Sequence, residues 1–243
     1  MHKQEFRGLV AAMLLGDGSL SCIYNKHRKG QDKKDLTGVG VVLHVCHAEG
    51  QKDLLLWKVK ELNRIFEQKK LTRRCRVNYY TSKTTRQRFS QFGLCWTKYF
   101  RTLYPKIYKI VQGKRRKKIQ WLLKQIYNDK HLAIWFMDDG CEVRQLRVDK
   151  QGVKYISSIS YKLHINGFTF GEANIMKEWF ESNYKVSPTI LKVKGMHGKL
   201  GPVLYFKAKD TRTLWPHIRV YIKQIPSMRH KFRGSLEKYP FGI

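Results

Sequence analysis

Two rhythms of hydrophobic residues run along this chain. In GLVAAMLLGDG (8–18) and HLAIWFMDDG (131–140) apolar side chains fill almost every position. A helix built from either stretch is apolar around its circumference and predicts a buried element, not an amphipathic surface one. Elsewhere the period is two, as in VGVVLHVCH (39–47), RCRVNYY (74–80), KYISSISYKLHIN (154–166), ILKVKG (190–195) and VLYFKAKD (203–210). Alternation of this kind predicts strands with one face buried. In RCRVNYY it sets Arg74, Arg76, Asn78 and Tyr80 on one face and Cys75, Val77 and Tyr79 on the other. Lys192 with Lys194, and Lys207 with Lys209, alternate with apolar neighbours in the same way. EGQKDLLLWKVKELNRIF (49–66) and FTFGEANIMKEWFESNY (168–184) carry helical spacing.

The order of these elements repeats. Asp17 and Gly18 align without gaps on Asp139 and Gly140, about half a chain length later, and each pair is followed by strand, helix and basic strands. Each half reads helix, two strands, helix, two strands, helix. The expected fold is α+β, a pseudo-twofold duplication of one αββαββα unit. The halves span 1–112 and 119–243, joined by a linker at 113–118 in the basic run QGKRRKK. Antiparallel sheets of this sort pack one face on helices and leave the other open. Two of them side by side would make a long basic saddle, and the two apolar helices, with Ala11, Ala12 and Gly16 small, could pair along the pseudo-twofold axis.

Composition identifies what such a saddle would hold. The 243 residues include 49 Lys and Arg against 18 Asp and Glu, a formal charge of +31. A hydrophobic fraction of 42% spread along the whole sequence makes this a folded core with a charged surface, not a disordered basic tail. An excess of cations that large points to a polyanion, because each ammonium or guanidinium that meets a phosphate releases condensed counterions. A two-stranded ribbon fits the major groove of duplex DNA. No apolar run approaches the ~20 residues that cross a bilayer, and MHKQEFRG is not a signal peptide. These features predict a soluble, intracellular protein with no membrane partner. Cys22, Cys46, Cys75, Cys95 and Cys141 show no C-x-x-C pair, which fits a reducing compartment. His44, Cys46 and His47 lack a second ligand pair and read as ordinary strand residues.

The acids that end the apolar helices are harder to explain by stability. Gly18 and Gly140 suit the left-handed residue that closes a helix, which places Asp17 and Asp139 where the helix dipole disfavours negative charge by about 0.3–1 kcal/mol. Carboxylates brought together repel unless something neutralises them, and hard oxygen ligands suit Mg²⁺. Both are candidate metal ligands.

At these positions the sequence resembles the single-chain, two-motif LAGLIDADG homing endonucleases encoded in introns. VAAMLLGDG (10–18) and LAIWFMDDG (132–140) occupy the nine positions of the family motif, and WFMDDG matches the form found in mitochondrial intron enzymes. Leu15 and Met137 stand at the first acidic position of the motif, which the family tolerates. The resemblance implies that Asp17 and Asp139 are the essential metal ligands, one for each scissile strand, with backbone oxygens of Gly16 and Asp138 beside them. It implies a basic residue near the cleavage centre from each half, Lys117 (or Lys118, one residue on) and Lys231. Arg74, Arg76, Arg86, Arg88, Lys192, Lys194, Lys207 and Lys209 are the implied contacts to DNA. The activity implied is a double-strand break in a long, non-palindromic site, by hydrolysis that leaves 5′-phosphates, in service of intron mobility. Mg²⁺ is the implied cofactor, Mn²⁺ a substitute, and Ca²⁺ an ion that binds without supporting cleavage. The protein would act as a monomer, in an organelle or a bacterial cytoplasm. Some members assist splicing of intron RNA as maturases or bind nucleic acid without cutting it, which is the alternative reading.

Overall fold

The computed structural model describes residues 2–23, 40–68, 75–82, 85–111, 113–194, 198 and 200–239. The chain forms two compact units, Met1–Gln125 and Ile126–Ile243.

In the first unit, α1 (His2–Leu15) leads into β1 (Ser19–Ile23) and β2 (Gly40–Ala48); one 3-10 turn (Glu49–Gln51) precedes α2 (Lys52–Gln68). Then come β3 (Arg76–Thr81), β4 (Arg88–Cys95), α3 (Thr97–Ile107), β5 (Tyr108–Val111), β6 (Lys114–Lys117) and α4 (Ile119–Leu123). The second unit runs α5 (Asp129–Asp139), β7 (Gly140–Val148), β8 (Lys154–His164), α6 (Phe170–Tyr184), β9 (Thr189–Lys194) and β10 (Leu200–Phe206). It closes with α7 (Ala208–Ile222), α8 (Pro226–Lys231) and α9 (Arg233–Lys238). The main sheets are antiparallel and share one topology, β1-β2-β4-β3 in the first unit and β7-β8-β10-β9 in the second. The expected αββαββα order is present in both, with additional elements after each third helix.

Alternation decides the faces. In the first sheet Leu43, Val45 and His47 of β2 align with Leu94, Phe92 and Ser90 of β4 and are buried, with Leu54, Leu55, Leu62 and Phe66 of α2 completing the core. In the second, Ile159, Tyr161 and Leu163 of β8 and Leu204 and Phe206 of β10 are fully buried, as are Ala173, Met176 and Phe180 of α6. The apolar helices behave as their composition requires, since Leu9–Leu15 of α1 and Leu132–Met137 of α5 are at most 1% exposed.

Two expectations need correction. Residues 113–118 are no linker. Gly113, at φ +71°, turns the chain back so that β6 pairs with β5, and the Arg115 guanidinium lies 4.6 Å from the centre of the Tyr108 ring. The basic run therefore belongs to the first unit, and the division falls after Gln125. Nor do Gly18 and Gly140 close their helices in the left-handed region. Gly140 is extended (φ −80°, ψ 152°), and positive φ among the described glycines occurs at Gly113, Gly152 and Gly198. Glycine is required for space. A Cβ on Gly18 would sit 2.6 Å from the carbonyl oxygen of Met13, and one on Gly140 would sit 2.5 Å from that of Phe136.

Candidate metal centre and nucleic-acid interface

The two units build the same arrangement at the end of the apolar helix. After α1, the Gly16 N–H bonds to the Ala12 carbonyl (3.2 Å) and the Gly18 N–H to the Met13 carbonyl (2.7 Å), so the turn carrying Asp17 is pinned on both sides. The Asp17 side chain is 41% exposed. Asp138 and Asp139 complete the last turn of α5 and are half-buried.

A lysine from the end of each unit closes this turn. Lys117 donates to the carbonyls of Leu14, Gly16 (3.4 Å) and Gly18 (3.0 Å). Lys231 donates to those of Met137 (2.8 Å) and Asp138 (2.9 Å). Lys118 points elsewhere, to the Pro105 carbonyl at 2.7 Å. Both lysines oppose the partial negative charge of a helix C-terminus, which an aspartate there would otherwise aggravate. Long-range bonds hold them in place. Arg115 reaches the Leu20 carbonyl (2.8 Å) and the Tyr108 hydroxyl accepts from the Leu20 N–H (3.0 Å), tying the β5–β6 hairpin to β1. In the second unit Glu142 accepts from the N–H groups of Gly234 (2.7 Å) and Ser235 (2.9 Å), anchoring the segment just beyond Lys231.

The donor set suits a hard divalent cation. In the first unit Asp17, and in the second Asp139, offers a carboxylate beside backbone carbonyls, and Mg²⁺ prefers such oxygen ligands. The carbonyls of Gly16 and Asp138 each accept from a lysine, and a carbonyl oxygen keeps a second lone pair for another partner.

His47, which the sequence presents as an ordinary strand residue, joins this centre. It lies on the helix-covered face of β2 opposite Ser90, with its Nδ1 3.2 Å from Asp17 Oδ2. Its Nε2 is 2.9 Å from the Lys58 Nζ of α2.

The open faces follow from register. In the first sheet Ser19, His44, Gly93 and Arg76 align across β1, β2, β4 and β3, with Cys46, Gln91 and Asn78 in the next row. In the second, Cys141, Lys162, Tyr205 and Thr189 form the equivalent row. Several of these groups are already organised. The Tyr205 hydroxyl donates to Ser160 Oγ (3.0 Å), Cys141 Sγ lies 3.5 Å from His164 Nε2, and Cys46 Sγ lies 3.3 Å from the Tyr80 hydroxyl. Burial lowers the pKa of His44. Burial, then the positive charges of Lys162 and Lys231, lower that of His164.

The basic residues singled out by alternation are placed differently. Arg76 pairs with Gly93 in the backbone register, while Arg74 lies outside the described residues. Arg86 sits at φ 54° in the turn before β4. Arg88 follows the covered-face register of Ser90 and Phe92 and meets Glu49 at 3.8 Å. Lys192 and Lys194 align with Pro202 and Leu200 on the helix side, where an edge strand still lets a long side chain reach water. Lys207 and Lys209 are not on a strand, because the sheet ends at Phe206; Lys207 is the N-cap of α7 and Lys209 lies in its first turn. Counting cations missed His44, Gln91, Lys162, Tyr205 and Thr189. Their signal is the period-two register of β2 and β8 carried across to the neighbouring strands.

Among the described residues no helix is long and apolar enough to cross a membrane. The profile of the LAGLIDADG DNA endonuclease family matches residues 7–214. No curated protein matches the chain in sequence. Among solved structures the fold is similar to that of the homing endonuclease I-WcaI bound to its DNA recognition sequence. The TM-score is 0.62 at 19% identity, over 94% of this chain and 85% of that one. It is also similar to mesophilic variants of the homing endonuclease I-DmoI, with a TM-score of 0.51 at 11% identity, over 90% of this chain and 97% of that one.

Proposed function

Because the chain belongs to the LAGLIDADG DNA endonuclease family, we propose that it is a monomeric, divalent-metal-dependent homing endonuclease that breaks both strands of one long DNA site. The observation that carries this reading is the repeated centre, an aspartate at the end of each apolar helix with a lysine on the adjoining carbonyls. Asp17 in the first unit and Asp139 in the second would hold Mg²⁺, which when bound would supply the positive charge that polarises a scissile phosphate and acidifies a water. Lys117 and Lys231 keep the carbonyl ends of α1 and α5 fixed and set a positive charge where the phosphorane develops its negative charge. Hydrolysis leaves a 5′-phosphate on each strand, and the break favours intron mobility.

Recognition falls to the open faces. Lys162, Gln91 and Asn78 offer donors to base edges, and the mismatch between the rows Ser19, His44, Gly93, Arg76 and Cys141, Lys162, Tyr205, Thr189 gives each half-site its own preference. A non-palindromic site follows. The net charge of +31 supplies the sequence-independent, salt-sensitive part of the affinity.

The test is a selection for cleavage in a randomised duplex library with Mg²⁺, repeated with Mn²⁺ and Ca²⁺, comparing the native protein with Asp17→Asn and Asp139→Asn. One recovered site, cut with Mg²⁺ or Mn²⁺ and bound but uncut with Ca²⁺ or by either variant, supports the reading. Binding of intron RNA with rescue of its splicing, and no cut in any duplex, replaces it with the maturase reading.

A further inference from the structure

We propose that Lys58 and His47 form a buried positioning pair that orients Asp17 in the first unit alone, so that the two DNA strands are cut by chemically unequal centres. The inequality of cutting rests on the endonuclease reading above; the pair itself rests only on geometry.

Lys58 occupies a slot that the sequence reserves for an apolar side chain. The buried stripe of α2 reads Leu54, Leu55, Lys58, Val59, Leu62, Ile65 and Phe66, and Lys58 is fully buried within it. An ammonium at such a position costs several kcal/mol to desolvate, and replacing it by an apolar residue of similar size is often neutral or stabilising. Packing alone does not select it. Its ammonium lies 2.9 Å from His47 Nε2, and His47 is 2% exposed.

The chemistry of the pair fixes the state of the ring. An ammonium has three donors and no acceptor, so His47 Nε2 accepts and the ring hydrogen of the neutral imidazole resides on Nδ1. That nitrogen faces Asp17 Oδ2 at 3.2 Å. At this distance the two do not yet form an aligned hydrogen bond; turning the carboxylate toward the ring N–H would make one. Such an outer partner fixes which oxygen of a ligating carboxylate is presented and how it is turned.

The second unit has apolar residues in both slots. Ser19 pairs with His44, and His47 lies three residues further along β2. Cys141, the counterpart of Ser19, pairs with Lys162, and three residues further stands Ile165, 1% exposed. Lys58 lies eleven residues after His47, and eleven residues after Ile165 stands Met176, fully buried in α6. Neither a branched alkyl chain nor a thioether can relay a hydrogen from an ammonium to a carboxylate, so this route of orientation belongs to Asp17 and not to Asp139.

Lys58→Met installs the residue that the second unit already uses. Each strand of the cleaved duplex is end-labelled separately, and the rates of nicking are compared with those of native protein in Mg²⁺. The expected result is a loss of roughly tenfold or more on one strand, little change on the other, and a melting temperature unchanged or raised. His47→Gln, whose amide both donates and accepts, should recover much of the loss, while His47→Ile should not. Independently of cleavage, ¹⁵N spectra of histidine-labelled, metal-free protein should show His47 with Nδ1 protonated, and Lys58→Met should alter that signal. Equal slowing of both strands, no slowing in a folded variant, or a hydrogen on Nε2 in native protein overturns the proposal. Native protein that cuts no duplex fails the endonuclease reading, and the nitrogen spectra then decide whether the pair exists. If Lys58→Met does not fold, His47→Gln against His47→Ile gives the same comparison.

Discussion

Lys231 donates to the carbonyl oxygen of Asp138 at 2.9 Å, one residue before the aspartate that ends α5. Lys117 takes the same position on the Gly16 carbonyl, one residue before Asp17. Each lysine thus neutralises a helix end, and on the proposed reading it would also face the charge that develops during hydrolysis. Lys117→Met and Lys231→Met are expected to lower the rate of DNA cleavage by about 10²–10³, the range for removing one preorganised charge stabiliser. Binding of the duplex in Ca²⁺ should change little. Lys118→Met is expected to cut at near the native rate, since Lys118 bonds to Pro105. Single-turnover cleavage with matched binding measurements checks all three.

The glycines that follow the aspartates should be intolerant for a reason of space. Gly18→Ala and Gly140→Ala each push a methyl group to within 2.6 Å and 2.5 Å of a backbone carbonyl oxygen that is itself fixed in a helix. A shift of the helix end costs about 1–3 kcal/mol. Gly50→Ala, whose added methyl group meets nothing within 4 Å, is the control and should leave stability within about 0.5 kcal/mol. Urea denaturation of the three variants separates the cases, and the Gly18 and Gly140 variants should also lose cleavage, because the same shift displaces the carboxylates.

How much of this was legible in the sequence differs between elements. The apolar rhythm of Leu9–Leu15 and the alternation in VGVVLHVCH translate directly into α1 and β2, because each face of a regular element has one environment. The repeat of Asp17 and Gly18 at Asp139 and Gly140 likewise anticipates two units with one topology. Alternation fails in VLYFKAKD, where Lys207 and Lys209 continue a period-two pattern into the start of a helix that Ala208 and Asp210 favour. It fails in ILKVKG because the lysines of an edge strand can sit on the covered side and still reach solvent. Lys58 was hidden for the opposite reason. Its place in a helical pattern says only that it shares a face with Leu54, Leu55 and Leu62, and its partner His47 comes from a strand eleven residues earlier.

The two open-face histidines should make stability and binding respond to acid. Burial lowers the folded-state pKa of His44 and His164 below the ordinary 6.5. Between the lowered value and 6.5 the unfolded chain binds more protons than the folded one, so stability rises with pH through that window and is lost as the pH falls. Above 6.5 neither group contributes. NMR titration of the free protein is expected to place both imidazoles below the unfolded value. Duplex DNA, with its phosphates, should move them upward, so that binding tightens on mild acidification. His44→Gln together with His164→Gln should flatten both dependences.

Recognition can be separated from charge attraction by where the lysines stand. Lys162 shares the open-face row with Cys141, Tyr205 and Thr189, whereas Lys192 and Lys194 follow the covered-face register at the sheet edge. A side chain over the groove meets base edges, and one at the rim meets at most phosphate. Lys162→Ala is therefore expected to relax the preference at one or two base pairs of the half-site, at a cost of about 1–3 kcal/mol with the preferred base. Lys192→Ala and Lys194→Ala should weaken all duplexes alike and reduce the slope of log affinity against log salt by about one for each phosphate that is no longer neutralised. Binding profiles over single-base variants of the target, taken at two salt concentrations, distinguish the outcomes. A relaxed preference from Lys192→Ala, with none from Lys162→Ala, would place the reading surface on the other side of the sheet.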